Sequence, residues 1–275
     1  MPELPEVETI ARGVDERLRG DRIVEVWFSS HTQPFKNSPA EQAAGLEGRA
    51  ILAVRRVGKH IVCDLGDAGS QTSSAQWIVH LGMTGRLLVT TPDAPVAAHT
   101  HARLTLASGR EMRFVDPRRF GRLEFRELNR AKAFLGPGSE PTTIALEDFA
   151  RLFRGRKLAI KAALLNQSLL HGVGNIYADE SLFRAGIRPK RMAGRIKQAE
   201  LARLHTALQE VLQHAISLGG SSVSDYVDAN GVRGFFQLEH RVYLRTGQPC
   251  LVCGTPIRRI LLAGRGTHFC PVCQR

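Results

Sequence analysis

Four cysteines near the end of the chain constrain its fold most tightly. Cys250-x2-Cys253-x16-Cys270-x2-Cys273 has the spacing at which two knuckles each deliver two thiolates to one tetrahedral ion. The residues between the knuckles must turn back on themselves, and Thr255–Leu262 and Gly266–Phe269 read as the two arms of a β-hairpin. Four protein sulfurs leave no open coordination position, so the expected zinc is structural rather than catalytic. Two disulfides are the alternative, and an expected cytosolic location disfavours them. The fifth cysteine, Cys63, lies in a strand pattern and reads as core.

The charge distribution points to a partner for that hairpin. Residues 241–275 hold six arginines (Arg241, Arg245, Arg258, Arg259, Arg265 and Arg275) and no acid. Over the whole chain of 275 residues the formal net charge is +12. Residues 1–150 contain 19 basic and 19 acidic side chains, whereas residues 151–275 contain 19 and 7, so the excess lies entirely in the second part. A polyanion explains such a concentration, because Lys and Arg gain by displacing counterions from phosphates. A solvated basic surface kept for solubility is the bland alternative.

The length suits about two domains at roughly 100–200 residues each. Hydrophobic residues make up 43% and charged residues 23%, enough to bury a core. No run approaches the roughly 18 apolar residues of a membrane span, and no secretory leader is evident, so the cytoplasm or the nucleoid is the expected compartment.

The pattern along the chain changes once. Residues 3–19 read as an amphipathic helix with Val7, Ile10, Ala11, Val14 and Leu18 at helical spacing. Strand patterns follow at Ile23–Phe28, Ala50–Val57, His60–Leu65, Gln76–Leu81, Arg86–Thr90, Ala102–Leu106, Arg110–Val115 and Arg122–Phe125. Strands in series without intervening helices predict a β-sandwich or barrel. Residues 29–48 and 92–99 read as loops. After the Gly-Pro-Gly-Ser linker at 136–143, helices are predicted at about 145–154, 157–166, 176–185 and 196–218.

Several short motifs carry chemistry. In Met1-Pro2-Glu3-Leu4-Pro5-Glu6, removal of Met1 would leave Pro2 as a secondary amine at the mouth of a helix, beside carboxylates. An amine can attack an electrophilic carbon to form an imine, and a neighbouring carboxylate can move the protons. On its own the stretch also reads as a proline-started helix with acids at its positive end. Asp116-Pro117-Arg118-Arg119-Phe120-Gly121 forms a turn between strands that projects two arginines beside an aromatic, the chemistry that wedges a base step apart. His80-Leu81-Gly82-Met83-Thr84-Gly85 is a second such turn, with Met83 at its tip. Gly172-Val173-Gly174-Asn175 opens a helix whose free N–H groups suit an anion, with Asn175 as cap or phosphate donor and Lys161 as a companion cation.

Taken in order, the Pro2–Thr9 opening, Gly58-Lys59-His60, the Asp116–Gly121 turn, the Gly172–Tyr177 turn and the four-cysteine finger resemble the bacterial formamidopyrimidine-DNA glycosylase family over essentially the whole chain. The resemblance implies an α+β multidomain fold. Residues 1–135 would form an N-terminal catalytic β-sandwich with flanking helices and 136–144 a linker. A helix–two-turn–helix DNA-binding domain would occupy 145–240 and a zinc-finger β-hairpin 241–275, with DNA held between the halves. It implies a bifunctional enzyme of base excision repair that removes oxidised purines from duplex DNA and cleaves the strand at the abasic site. Pro2 would be the nucleophile and Glu3 the general acid/base, with Glu6 in support and Lys59 and Arg265 in the catalytic set through the phosphates they hold. His80, Arg119, Lys161 and Asn175 would contact the backbone. Met83, Arg118 and Phe120 would fill the space left by the flipped base.

One structural zinc, no membrane and a monomer complete the expectation. Thr84, Asn166 and the long linker depart from the common family pattern without touching this chemistry. Lesion choice would lie in a loop at about 221–236. An endonuclease VIII-type enzyme acting on oxidised pyrimidines and a non-catalytic zinc-ribbon DNA-binding protein are the alternatives; the Leu4-Pro5-Glu6-Val7 opening and the Arg118-Arg119-Phe120 turn favour the purine enzyme over the first.

Overall fold

The computed structural model describes residues 1–31, 33–223 and 226–275. The chain forms two compact units. One comprises Met1–Leu135 with Gly219–Gly234, the other Gly136–Leu218 with Phe235–Arg275. The stretch Gly219–Gly234 therefore packs with the first unit, although its sequence neighbours belong to the second.

In the first unit, helix α1 (Leu4–Leu18) buries the stripe expected of it, Val7, Ile10, Ala11, Val14 and Leu18. Eight strands follow: β1 (Ile23–Phe28), β2 (Ala50–Val57), β3 (His60–Gly66), β4 (Ala75–His80), β5 (Arg86–Thr90), β6 (Thr100–Leu106), β7 (Glu111–Val115) and β8 (Arg122–Glu127). They pair antiparallel into two sheets, ordered β1-β6-β7-β5 and β2-β3-β4-β8. One core takes residues from both sheets, among them Ile61, Trp77 and Val79 from one and Leu104, Met112 and Phe114 from the other. This is a β-sandwich, closed along one side by α1.

One expectation is corrected. Part of the predicted loop at 29–48 is helix α2 (Pro39–Leu46), capped by the Ser38 hydroxyl accepting from the Glu41 N–H. Its Gln42 donates to the Leu123 carbonyl and accepts from the Trp77 indole, which fixes it on the sandwich.

The second unit is helical: α3 (Leu146–Phe153), α4 (Ile160–Leu164), α5 (Asn175–Ala185) and α6 (Gln198–Ser217). It ends in the hairpin β9 (Arg258–Leu262) and β10 (Arg265–Phe269), joined by Ala263 and Gly264 at φ 49° and 70°. A two-residue loop with both φ positive matches the right-handed twist of a hairpin. Among the described residues no helix is long and apolar enough to cross a membrane.

Candidate active site and metal centre

Pro2 is buried immediately ahead of α1, and Glu3 caps that helix at 5% exposure. The Glu3 N–H donates to Glu6 Oε2 at 2.8 Å, which fixes the peptide beside Pro2. The second oxygen of Glu6 accepts the Ser221 N–H at 2.7 Å. Tyr226 donates its hydroxyl to the Gly219 carbonyl at 3.0 Å, and burial beside Glu6 pushes this phenol well above its ordinary range. One carboxylate thus joins the opening residues to the start of the 219–234 segment. A Cβ on Gly220, whose φ is +81°, would lie 2.8 Å from Glu6 Oε1. The predicted loop at 221–236 begins here; Ser224 and Asp225 within it lie outside the described residues.

Lys59 follows Gly58 in the β2–β3 turn and is buried. Arg56 holds this turn against α1, with its guanidinium 2.8 Å from Glu8 and a bond to the Gly58 carbonyl. His80 closes β4, and its Nδ1 accepts the Gly82 N–H at 3.2 Å. Burial, then Lys59 and Arg122, lower its pKa to about 4. At neutral pH His80 is therefore uncharged and carries its proton on Nε2, where it can donate to an anion. His60 is likewise held at about 4, by burial and by His80. The two imidazoles, with Lys36, Ile78, Arg122 and Glu124, line a recess of about 180 Å³ on the outer face of the second sheet.

Met83, Arg118 and Phe120 are all exposed, Met83 at 43% and Phe120 at 50%. The Arg118 guanidinium lies over the Phe120 ring at 4.8 Å. Arg119 adopts φ 55° and meets His31 Nδ1 at 3.2 Å.

In the second unit Lys161 is held within the protein. Its ammonium is fully buried, 2.6 Å from Asp179 Oδ1, and donates to the Thr267 hydroxyl at 2.8 Å and the Gly266 carbonyl at 3.2 Å. A lysine so enclosed has its charge paired and its donors engaged within the protein. Asn175 does not cap its helix: Gly174 holds the cap position, and Asn175 Nδ2 donates to the Gly266 carbonyl at 3.0 Å. Both residues fix the hairpin tip, where Arg265 is exposed at the first position of β10.

Sequence reasoning missed Asp179, whose second oxygen accepts the His268 N–H at 2.8 Å. It also missed Glu180, fully buried and accepting the N–H groups of Arg241, Val242 and Tyr243. An acid in mid-helix resembles a surface residue until its partners, 89 positions on for Asp179 and 61 to 63 for Glu180, are known.

Cys250, Cys253, Cys270 and Cys273 bring their sulfurs within 4.8 Å of one another. Cys250 and Cys273 are 3.9 Å apart, and Cys253 and Cys270 3.4 Å. A Zn–S bond of about 2.3 Å sets tetrahedral edges near 3.8 Å, so the cluster fits one zinc. All four are free cysteines, which removes the disulfide alternative. The Thr255 hydroxyl and N–H hold Cys253 down to about 6, whereas burial pushes the Cys270 and Cys273 thiols up.

A β-sandwich that opens on Pro2 and two carboxylates, followed by a helical unit with a four-thiolate hairpin, is the arrangement of a class of DNA glycosylases. Residues 1–123 match the formamidopyrimidine-DNA glycosylase N-terminal domain, residues 135–227 its H2TH domain, and residues 247–275 the zinc finger found in FPG and IleRS. Formamidopyrimidine-DNA glycosylase from Solibacter usitatus is 48% identical over the full length of both chains, and that from Thioalkalivibrio sulfidiphilus 41%. Among solved structures, a Lactococcus lactis Fpg mutant in complex with Fapy-dG containing DNA superposes with a TM-score of 0.90 at 35% identity, covering both chains completely. The Thermus thermophilus protein superposes at 0.85 with 42% identity, covering 99% of this chain and 98% of its own. The chain belongs to the formamidopyrimidine-DNA glycosylase family. It is a DNA glycosylase of base excision repair carrying one structural zinc site.

Proposed function

We propose that this enzyme excises oxidised purines, 8-oxoguanine and formamidopyrimidines, from duplex DNA and then cleaves the strand by β,δ-elimination. The observation that carries this reading is the buried Pro2 beside Glu3, in a chain that aligns end to end with family members. Once Met1 is removed, the Pro2 nitrogen attacks C1′ of a nucleotide turned out of the stack. The C1′–N bond breaks and the base departs with a proton. Glu3 protonates the ring oxygen as the sugar opens, leaving an iminium on Pro2. That cation withdraws electrons, so a proton leaves C2′ and the 3′ phosphate departs; a second elimination releases the 5′ phosphate.

Glu6 keeps Glu3 in register. Lys59, neutral His80, Arg119, Asn175 and Arg265 serve the phosphates, while Met83, Arg118 and Phe120 occupy the vacated stack and face the orphaned base. Asn175 would act from the start of α5, where it holds the Gly266 carbonyl. The sulfurs of Cys250, Cys253, Cys270 and Cys273 would hold a zinc ion whose contribution is to fold the hairpin that presents Arg265. The functional parts are 1–135, the linker 136–144, 145–240 and 241–275, acting as a monomer in the cytoplasm at the nucleoid.

Borohydride trapping on an 8-oxoguanine:cytosine duplex, with the adduct mapped by peptide mass, tests the reading. A crosslink at residue 2, lost in Pro2→Gly while duplex binding is largely retained, is the expected result. Equal trapping by both proteins would contradict the amine mechanism. Binding without any adduct would favour a zinc-ribbon binding module instead. The complex of L. lactis Fpg with an oxidised pyrimidine containing DNA keeps the endonuclease VIII-type preference as the second reading, and faster cleavage of a thymine-glycol duplex would establish it.

A further inference from the structure

The turns bearing Met83 and Arg118/Phe120 come from distant parts of the sequence, yet topology places them side by side. Strand β4 passes to β5 through residues 81–85, and β7 to β8 through residues 116–121. Both passages cross from one sheet to the other. The flanking ladders end at His80↔Arg122 and Arg86↔Val115, so the two turns lie alongside each other at one end of the sandwich. Their backbones touch: a Cβ on Gly82 would come within 2.5 Å of Gly121 N and of the Phe120 carbonyl carbon.

Asp116 lies between them with no exposure. Its Oδ1 accepts the Thr84 hydroxyl at 2.6 Å and the Arg118 N–H at 3.3 Å, and its Oδ2 accepts the Gly121 N–H at 2.7 Å. Its carbonyl is held by His101 Nε2 at 3.1 Å, and the other nitrogen of that ring meets the Ser29 hydroxyl at 3.0 Å. A buried carboxylate accepting three donors from two turns is a rigid connector, because charge-assisted bonds in a water-excluded place are strong and each lost one exposes an unsatisfied group.

We infer that Asp116, through the Thr84 hydroxyl, is the positioning residue that makes Met83, Arg118 and Phe120 one preformed tool rather than three independent side chains. The inference rests on the proposed role of those three side chains. Its effect is specific to duplex substrates: a strand with no complement needs no base displaced, so the chemistry at Pro2 proceeds there without the tool.

The test uses full-length protein and the variants Asp116→Asn, Thr84→Val and Thr84→Ser. Amide hydrogen exchange in both turns reads the connector itself. Thr84→Val should raise exchange at Arg118 and Gly121, in the turn it does not belong to, and Thr84→Ser should leave it unchanged. Strand cleavage at an abasic site, in duplex and in single-stranded oligonucleotide, reads the consequence. Misplacement by about an ångström lowers a rate by roughly 10- to 100-fold, so duplex cleavage by Asp116→Asn should fall in that range. Its single-strand cleavage should stay within about two-fold of the parent, a change too small to signal lost transition-state contacts. An unchanged exchange pattern in Thr84→Val, or duplex and single-strand rates falling together in a folded Asp116→Asn protein, would overturn the inference. Loss of the function reading would look different: a parent protein inert on every lesion, with the coupling between the turns still present.

Discussion

At the scale of single residues, two lysines from one motif set reach opposite ends. Lys59 stands in a turn beside the opening helix, whereas Lys161 is sealed against Asp179 with no exposure. Nothing in the sequence around Lys161 signals this. Its acid partner lies 18 positions on in another helix, and its remaining partners lie in the hairpin. Removing one member of a buried pair leaves an uncompensated charge, so Lys161→Met should cost about 3–5 kcal/mol of unfolding free energy. Adding Asp179→Leu should recover part of that loss and no more, because the His268 N–H would lose its acceptor. Urea unfolding of the single and double variants checks both statements; a single variant as stable as the parent would show the pair to be dispensable.

At the scale of elements, the strands were legible because β-branched residues, alternation in several of them and intervening Gly or Asp turns mark them, and α1 because its stripe repeats at helical spacing. Helix α2 was not, since Pro39, Ala40, Ala43, Ala44 and Gly45 dilute its apolar face. Register was not legible either, and with it the neighbouring of the two cross-sheet turns. The four ligands of the finger were legible, because metal-ligand spacing is a geometric requirement rather than a propensity. Its small core contains two of the ligands, Cys250 and Cys270, packed with Phe183, Val242 and Ile257. Chelation of the metal, or Cys250→Ser, should therefore unfold the hairpin and remove duplex affinity while leaving the sandwich folded. Zinc release measured with a chromogenic chelator, alongside near-UV circular dichroism of Trp77 and its neighbours, follows the two events separately. Undiminished duplex affinity in the metal-free protein would refute the link.

At the scale of the whole molecule, the basic excess beyond residue 150 bears on how binding responds to salt. A protein that neutralises several phosphates loses affinity steeply as ionic strength rises. Duplex affinity, read by fluorescence anisotropy, should fall by a factor of about 10³ or more between roughly 50 and 200 mM salt. Arg265→Ala should weaken binding and lower the slope by about one unit. A flat salt response would mean that the excess charge serves something other than DNA. The order of the motifs carried the activity in the sequence, whereas the packing of Gly219–Gly234 with the first unit is a non-local fact that no local pattern announces.

That packing bears on the order in which the protein is made. Ser221 supplies the N–H that completes the bonding of Glu6, Ala229 accepts from Val89, and Asn230 accepts from Arg17. A nascent chain that has emerged only as far as Leu135 already holds Glu3, Glu6 and Arg17 but lacks these partners. At about 5–20 residues per second, ribosomes need several further seconds to supply them. The surroundings of Glu6 thus draw on helix α1 and on a segment that the ribosome supplies only after the whole of the sandwich.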